Sequence, residues 1–95
     1  MNDILKALAS PVRMDMLKWL KEPEQYFGEQ AQPFTTGVSA SQFERCGLSQ
    51  STVSAHLSVL QRAGLVTTSR HGQWVYYRRD ENAIRRFLAD LQSTL

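Results

Sequence analysis

The sequence predicts one mainly α-helical domain with a β-hairpin near its C-terminal end, and three observations support this prediction. Apolar residues recur at helical spacing in several segments of the 95-residue chain. Strand-forming residues flank a Gly-containing turn after Gly64. The segment from Ser49 to Gly64, SQSTVSAHLSVLQRAG, has a helix start, a helical period and a helix stop. The other elements are organised around this segment.

Composition limits the class of protein. A chain of this length is expected to bury roughly 60–65% of its unfolded surface, enough for one modest core. No segment approaches ~18 continuous apolar residues, and the first residues are too polar for a secretory signal. The single cysteine, Cys46, excludes an internal disulfide and a multi-cysteine metal cluster. We therefore expect a cytoplasmic protein without a membrane segment or a cofactor.

The segment 49–64 combines an apolar stripe with a polar face of unusual composition. Ser49 is a suitable N-cap, and Gly64 can end the helix in the left-handed conformation. The stripe consists of Val53, Leu57 and Leu60. The opposite face consists of Ser51, Ser54, Ala55, Ser58 and Arg62, with Gln50 and Gln61 alongside. Short uncharged side chains allow a helix to approach hydrogen-bonding edges closely, as in a DNA major groove. An ordinary solvated face is the alternative.

The residues before this helix complete a helix-turn-helix pattern over residues 39–63. A weakly helical segment, Ser39–Cys46, leads into a tight turn at Cys46-Gly47-Leu48. The positive charge is concentrated in the part of the chain that contains the segment 49–64. Residues 1–44 hold four basic and six acidic side chains, residues 45–79 hold five Arg and no acid, and residues 80–95 hold two Arg and three acids. An acid-free basic block is typical of a phosphate-contacting surface.

The N-terminal half predicts further helices. Asn2 or Asp3 is expected to cap a first short helix, and Ser10-Pro11 to start a second helix that runs to about Lys21. In the second helix, Met14, Leu17 and Leu20 are predicted to form one apolar stripe, with Val12, Met16 and Trp19 beside it. The segment 22–37 is predicted to be a loop whose aromatic residues pack on the domain, with a small-molecule lid as the alternative. A third helix is expected from Ser39, with Gln42 completing a capping box.

Residues 65–79 predict a β-hairpin with its turn at His71-Gly72. Arg70, His71 and Gln73 cluster at the tip. A basic tip directly after a recognition helix indicates a wing that contacts the minor groove or phosphates, and a solvated turn is the alternative.

Asp80 is expected to cap a final helix with an apolar ridge. The ridge consists of Ile84, Phe87, Leu88, Leu91 and Leu95. In so small a domain this ridge predicts pairing with a second subunit. Packing against the chain's own core is the alternative. Both can hold if some residues of the ridge contact a second subunit and others contact the core.

Three blocks of the sequence resemble the ArsR family of small winged-helix repressors. They are LKALASPVRMDMLKWL (5–20), GLSQSTVSAHLSVLQRAGLV (47–66) and GQWVYYR (72–78), nearly half of the chain in the family's order. The resemblance implies a winged helix-turn-helix homodimer of order α-α-α-α-β-β-α, in which the first and last helices (1–9 and 80–95) form the dimer interface. It also implies binding to double-stranded DNA at an imperfect palindrome near a promoter, and release by an effector.

By position, the resemblance assigns three sets of residues. The recognition helix would contact bases and phosphates through Gln50, Ser51, Thr52, Ser54 and His56, and the wing through Arg70, His71 and Gln73. The dimer interface would use Ile4, Leu5, Leu8, Ile84, Phe87, Leu88 and Leu91. For His56, which flanks the apolar stripe, a phosphate contact and a packed side chain both remain open.

The sequence departs from the family at its sensor sites. Many members bind metal through a Cys-x-Cys-type pair opening the third helix, where this chain has Ser39 and Ser41, and neutral hydroxyls are poor ligands for soft metals. The last helix contains no His for the other common metal site. We therefore predict no metal site. Cys46 is expected to pack as a small apolar residue; a redox or electrophile switch is the alternative, since the adjacent Arg45 can lower a thiol pKa.

Two classes of function are compatible with these features. The leading hypothesis is a sequence-specific DNA-binding regulator, specifically an autoregulating repressor that a small-molecule or redox effector releases. The alternative is a winged-helix protein-interaction module without specific DNA binding, against which the acid-free block counts. An enzyme is a distant third hypothesis, because no catalytic constellation or phosphate-binding Gly loop is present in the sequence.

Overall fold

The computed structural model describes all of residues 1–95 as a helical domain with a three-stranded antiparallel sheet. The helices are α1 (Asn2–Leu8), α2 (Pro11–Lys21), α3 (Pro23–Tyr26), a 3-10 helix (Ala40–Cys46), α4 (Gln50–Arg62) and α5 (Glu81–Thr94). The strands are β1 (Val38–Ser39), β2 (Val66–His71) and β3 (Trp74–Arg79). This is the predicted winged helix-turn-helix, with two short elements, α3 and β1, that the sequence did not predict.

Three predicted helix starts are confirmed by side-chain hydrogen bonds. Ser10, Ser49 and Asp80 each accept the backbone N–H three residues further on, at 3.2, 3.3 and 3.0 Å. Each bond satisfies a backbone donor that has no partner inside its helix.

The predicted cap of the first helix is wrong, and the predicted end of α4 at Gly64 is confirmed. Met1, not Asn2 or Asp3, occupies the cap position of α1, because the helix already begins at Asn2; no side chain caps it. At the end of α4, Gly64 adopts a φ of +79°, and the N–H of Leu65 donates to the carbonyl of Leu60 at 3.0 Å. This is the predicted glycine stop.

One apolar core joins α2, the 3-10 helix and α4. Val53, Leu57 and Leu60 are each at most 1% exposed, which confirms the predicted stripe. They belong to the same buried cluster as Met16 and Phe43. Because these large side chains come from all three helices, the core fixes the orientation of α4 in the domain.

The buried face of α2 overlaps the predicted stripe but is rotated from it. Leu17 and Leu20 are buried as predicted, whereas Met14 is half-exposed. Met16, which was predicted to lie beside the stripe, is completely buried in place of Met14. Met14 instead lies beside α5, where it lines an open apolar groove.

Residues 22–37 pack on the domain as predicted. Phe27 is buried with its ring centre 5.1 Å from that of Phe43, edge to face. The ring centres of Tyr26 and Trp19 lie 6.4 Å apart. Pro23 occupies the first turn of α3. Through these aromatic contacts the segment joins the main core instead of forming a separate cluster.

The predicted capping box of the third helix does not form. Ser39 occupies the cap position but makes no cap bond; its hydroxyl lies 3.1 Å from that of Ser41. The side chain of Gln42 turns toward the preceding segment instead. Its Oε1 accepts the N–H of Gly28 at 3.2 Å, and its Nε2 donates to the carbonyl of Gly28 at 2.8 Å. Gln42 thus satisfies buried backbone groups that this irregular segment does not satisfy by itself.

The sheet has the strand order β1-β3-β2, so β3 is central. Val38 pairs with Tyr77, and Ser39 pairs with Tyr76. Gly37, just before β1, has a φ of +131°, and a Cβ on it would lie 2.9 Å from the carbonyl oxygen of Tyr77. Only glycine permits this approach without a shift of the backbone. β1 therefore ties the start of the helix-turn-helix to the hairpin.

The hairpin is confirmed, but its turn lies one residue later than predicted. His71 pairs with Trp74, so Gly72 and Gln73 form the turn. Gly72 has a φ of +64° at the first turn position, where two-residue hairpin turns favour glycine. The prediction was wrong by one position because His71 continues β2.

The final helix is anchored to α2 through β3. The guanidinium of Arg79 donates to the carbonyl of Leu17 at 3.3 Å and to Oε1 of Glu81 at 3.2 Å. Its Nε also lies 2.9 Å from Oε2 of Glu81, a distance that makes an ion pair although the N–H is not aligned for a hydrogen bond. Phe87 of α5 is buried against the domain. No helix has the length and apolar character needed to cross a membrane.

Candidate nucleic-acid interface

The face of α4 opposite the core is exposed and uncharged along its first three turns. The stripe below it is fully buried, so the rotation of α4 about its own axis is fixed by packing. The exposed residues of these turns are Gln50, Ser51, Ser54, Ala55 and Ser58. The structure thus brings three of the five predicted recognition residues onto one solvent-facing surface. The other two, Thr52 and His56, are half-buried.

Thr52 is held in the first turn by the N-cap. The hydroxyl of Ser49 donates to Oγ1 of Thr52 at 2.8 Å and accepts the Thr52 N–H at 3.3 Å. The hydroxyl of Ser51 lies 3.3 Å from that of Ser49. Because Thr52 accepts through its oxygen, its own O–H remains available as a donor. A helix N-terminus with such free donors favours a phosphate group.

His56 has a structural partner that the sequence did not predict. Nη1 of Arg13 lies 3.0 Å from Nδ1 of His56, while Nε of Arg13 donates to the carbonyl of Ala7 at 2.6 Å. A guanidinium only donates, so Nδ1 is the acceptor in this hydrogen bond. Arg13 therefore connects α1, α2 and α4. The one sequence signal for this role was a lone arginine in the first turn of a largely apolar helix.

The wing tip is exposed and basic. Arg70, His71 and Gln73 are all exposed, and the His71 ring lies edge to face on the buried Tyr76 at 5.7 Å. Trp74 follows the turn and is 48% exposed. This exposure differs from the role of strand former and core residue expected for Trp74; a large aromatic residue directly beside a solvent-facing turn was the signal for an accessible surface.

The charge pattern of residues 45–79 is refined by the structure. Four of the five arginines in this block are exposed: Arg45, Arg62, Arg70 and Arg78. Arg79 is half-buried and paired with Glu81, so it stabilises the fold instead of adding to the exposed charge. The surface formed by α4 and the wing therefore carries exposed cations without a carboxylate from its own segment, which favours a polyanion.

Cys46 lies half-buried at the end of the 3-10 helix. Burial raises the pKa of its thiol, and the opposing effect of the Arg45 charge is the smaller of the two. The charge of Arg45 thus lowers the pKa of the thiol by less than burial raises it. The hydroxyls of Ser39 and Ser41 lie 3.1 Å apart, and no group of three or more His, Cys, Asp or Glu side chains is arranged to hold a metal ion.

The predicted dimer residues differ in exposure. Phe87 is buried, and Ile4, Leu8 and Ile84 pack partly against the core of their own chain. Leu5 and Leu88 are 43% and 54% exposed, and Leu91 is half-buried near the end of α5. Met14, which was not among the predicted dimer residues, is 49% exposed. An apolar groove of about 310 Å³ runs between α2 and α5; its apolar lining consists of Leu8, Met14, Leu17, Leu65, Ile84, Phe87 and Leu88.

Comparisons with known proteins agree with this geometry. Residues 8–69 match the family described as a helix-turn-helix domain. The chain is 42% identical to the uncharacterised HTH-type transcriptional regulator YbzH of Bacillus subtilis, over 97% of this chain and 94% of that protein. It is 30% identical to the transcriptional repressor SdpR of the same organism, over 81% of this chain and 72% of that protein. The solved structure of an ArsR-like transcriptional regulator from Rhodococcus superposes with a TM-score of 0.74 at 23% identity, over 98% of this chain and 76% of that one, which shows the shared fold.

The family match covers the whole helix-turn-helix and extends into β2. Both of these relatives are named as transcriptional regulators, and the match to YbzH spans almost the full length of each chain. The chain therefore belongs to the helix-turn-helix domain family, has the winged helix-turn-helix fold and is a DNA-binding transcriptional regulator.

Proposed function

We propose that this regulator is a homodimeric repressor, acting in the cytoplasm, that binds an imperfect palindrome at the promoter of its own operon and is released by an effector. The observation that carries the proposal is the exposed face of α4, whose side chains are mostly short and uncharged. This face lies in residues 45–79, which contain five arginines and no acidic side chain. The relative SdpR is named as a transcriptional repressor, which supports repression instead of activation.

Each residue of the interface has a role suited to its chemistry. The exposed amide of Gln50 suits the paired donor and acceptor of an adenine edge, and the hydroxyls of Ser51 and Ser54 suit either kind of base. Thr52, whose O–H is free to donate, suits a phosphate oxygen. His56 would help to hold α4 in place through its contact with Arg13. At the wing, Arg70, His71 and Gln73 would contact the minor groove or the backbone.

The dimer would form through α1, α2 and α5. Met14 and Leu88 expose apolar surface in the groove between α2 and α5, and Leu5 exposes apolar surface on α1. A second subunit would remove this surface from water. Phe87 is already buried by its own chain, so its contribution would be to support α5 from below. A twofold dimer would present two copies of α4, which explains the expected palindrome.

The test is fluorescence anisotropy of the protein's own upstream DNA, titrated with reduced, metal-free protein at several salt concentrations. If each subunit of a dimer makes at least two phosphate contacts, the slope of log affinity against log salt should be about −3.6 or steeper. Ser54→Glu should reduce operator affinity at least ~10-fold by placing a carboxylate against the DNA. Ser93→Glu, the same change at an exposed site on α5, is the control. Retained affinity in Ser54→Glu would refute the assigned face.

The dimer is tested separately by sedimentation velocity. Leu88→Glu should shift the protein toward monomer and weaken operator binding, whereas Ser93→Glu should change neither. An unchanged sedimentation profile in Leu88→Glu would count against the α5 interface. Weak, salt-insensitive DNA binding by the wild type, together with a stable complex with another protein, would instead favour the interaction-module alternative.

A further inference from the structure

A cavity of about 340 Å³ lies between the segment 29–31, the 3-10 helix and β3. This volume is within the range of small-molecule sites. Trp74 and Tyr76 line it from the wing, and Arg45 lines it from the helix-turn-helix, while Glu29 contributes from the preceding segment. The cavity is therefore shared between the two halves of the DNA-binding surface, and it lies apart from the exposed face of α4.

Two of the polar side chains in the wall are already committed to the fold. Gln42 uses its amide on the backbone of Gly28. Gln30 accepts the N–H of Ser39 at 3.2 Å and donates to the carbonyl of Gly37 at 2.7 Å. These glutamines make the wall rigid and leave the recognition of any ligand to other groups.

The remaining polar groups in the wall are free. Glu29 and Arg45 both line the cavity, yet they form no ion pair with each other or with any other side chain. The guanidinium of Arg45 lies over Gly28, where a side chain would displace it. The paired hydroxyls of Ser39 and Ser41 need only one O–H for their mutual bond, so one donor remains.

We propose that this cavity binds a small zwitterion of the free amino acid type and that the bound ligand changes the affinity for DNA. A carboxylate can accept two parallel hydrogen bonds from Arg45, and an ammonium group can pair with Glu29. Trp74 and Tyr76 line the same cavity, and an aromatic ring in the wall can attract an ammonium group. Two opposite charges held apart in one cavity match a ligand that carries both, whereas a simple acid or a simple amine would leave one of them facing a neutral group.

The position of the cavity supplies the link to DNA binding, and this part of the inference rests on the proposed function. Arg45 directly precedes the turn that leads into α4, and Trp74 directly follows the turn of the wing. A ligand that contacts both would fix the wing relative to the 3-10 helix. Such a ligand shifts the affinity for DNA by its preference for one relative position of the two.

The first experiment is isothermal titration calorimetry of the full chain without DNA. The probes are the twenty standard amino acids, each compared with the matched carboxylic acid lacking the amino group and the matched amine lacking the carboxylate. We expect saturable binding, with Kd below about 1 mM, for at least one amino acid and at least ~10-fold weaker binding of both analogues. The same ligand should change the tryptophan fluorescence of the wild type but not of Trp74→Phe.

Three variants test the assignment of the charges. Glu29→Gln and Arg45→Gln should each weaken binding of that amino acid at least ~10-fold. Glu24→Gln, the same change on α3 outside the cavity, should leave it unchanged. Binding of no amino acid, equal binding of an analogue, or equal affinity in all three variants would overturn the site.

A second measurement separates the site from its effect on DNA. Operator affinity is compared with and without saturating ligand, in the wild type and in Arg45→Gln. A ligand-dependent change in the wild type that is lost in the variant supports regulation. Calorimetric binding with unchanged operator affinity overturns regulation but leaves the site. Absence of specific DNA binding by the wild type in both conditions refutes the proposed function, and the calorimetric result is unaffected by it.

Discussion

Arg13 joins three helices, and its replacement by glutamine measures how firmly α4 is held. Two of its hydrogen bonds are partly buried, from Nε to the carbonyl of Ala7 at 2.6 Å and from Nη1 to Nδ1 of His56 at 3.0 Å. Hydrogen bonds that involve a charged group contribute about 1.5–3 kcal/mol each. Partial exposure places both at the lower end of that range, so Arg13→Gln should lower the free energy of unfolding by about 3 kcal/mol. For a domain of this size the midpoint of thermal unfolding should fall by more than ~10 °C.

The assay is urea unfolding at one fixed protein concentration, since a dimer's stability depends on concentration. Arg85→Gln is the matched control, because Arg85 is exposed and its side chain hydrogen-bonds only Asn82 of its own helix. A double-mutant cycle with His56→Ala should give a coupling energy of about 1 kcal/mol. If Arg13→Gln loses no more stability than Arg85→Gln, or if the cycle is additive within about 0.5 kcal/mol, the connection through Arg13 does not hold α4.

Three further predictions concern the core, the sheet and the thiol. Leu57→Ala should lower the free energy of unfolding by about 3 kcal/mol in urea, because Leu57 is 1% exposed within the core. Gly37→Ala should lower it more than Gly72→Ala: both glycines have positive φ, but only at position 37 would the new Cβ meet backbone, that of Tyr77. Cys46 should react with a disulfide reagent at pH 8 more slowly than free cysteine, because burial raises its pKa; a rate-against-pH profile measures this.

Clear results would contradict each of these expectations. A loss below about 1 kcal/mol in Leu57→Ala would mean that the core closes over the missing side chain. Equal losses at the two glycines would remove the argument for a close approach of β1 to β3. A Cys46 thiol that reacts like free cysteine would contradict its burial. The sign of the thiol effect on stability also follows: the unfolded chain releases this proton at lower pH than the folded chain, so stability falls as the pH rises above the unfolded pKa.

The sequence was most informative where local chemistry decides the structure. The caps at Ser10, Ser49 and Asp80 depend on a hydrogen bond three residues away, and the stripe of α4 depends on helical spacing, so both were predictable. The exposed face of α4 followed automatically, because burying the stripe leaves only one face outside. Most of the candidate interface was therefore accessible from the sequence.

The missed features depend on partners that are distant in the chain. β1 contains two residues, too few for an alternating pattern, and exists because β3 lies beside it. Gln42 was predicted to cap its own helix, but its side chain instead hydrogen-bonds the backbone of Gly28. The contact between Arg13 and His56 spans 43 positions, and no local pattern encodes it. The hairpin turn was displaced by one residue because a Gly-containing turn allows more than one register until the strands pair.

The pairing of β1 with β3 has a consequence for the order in which the chain folds. β2 and β3 are joined by a two-residue turn, so this hairpin can form locally within about 1–10 μs. Val38 and Tyr77, by contrast, are 39 positions apart, and the 3-10 helix and α4 lie between them. Closing so long a loop is favourable only after those helices have collapsed onto the core. The third strand should therefore join late, and an intermediate arrested before that step would keep its helices while the hairpin remains undocked.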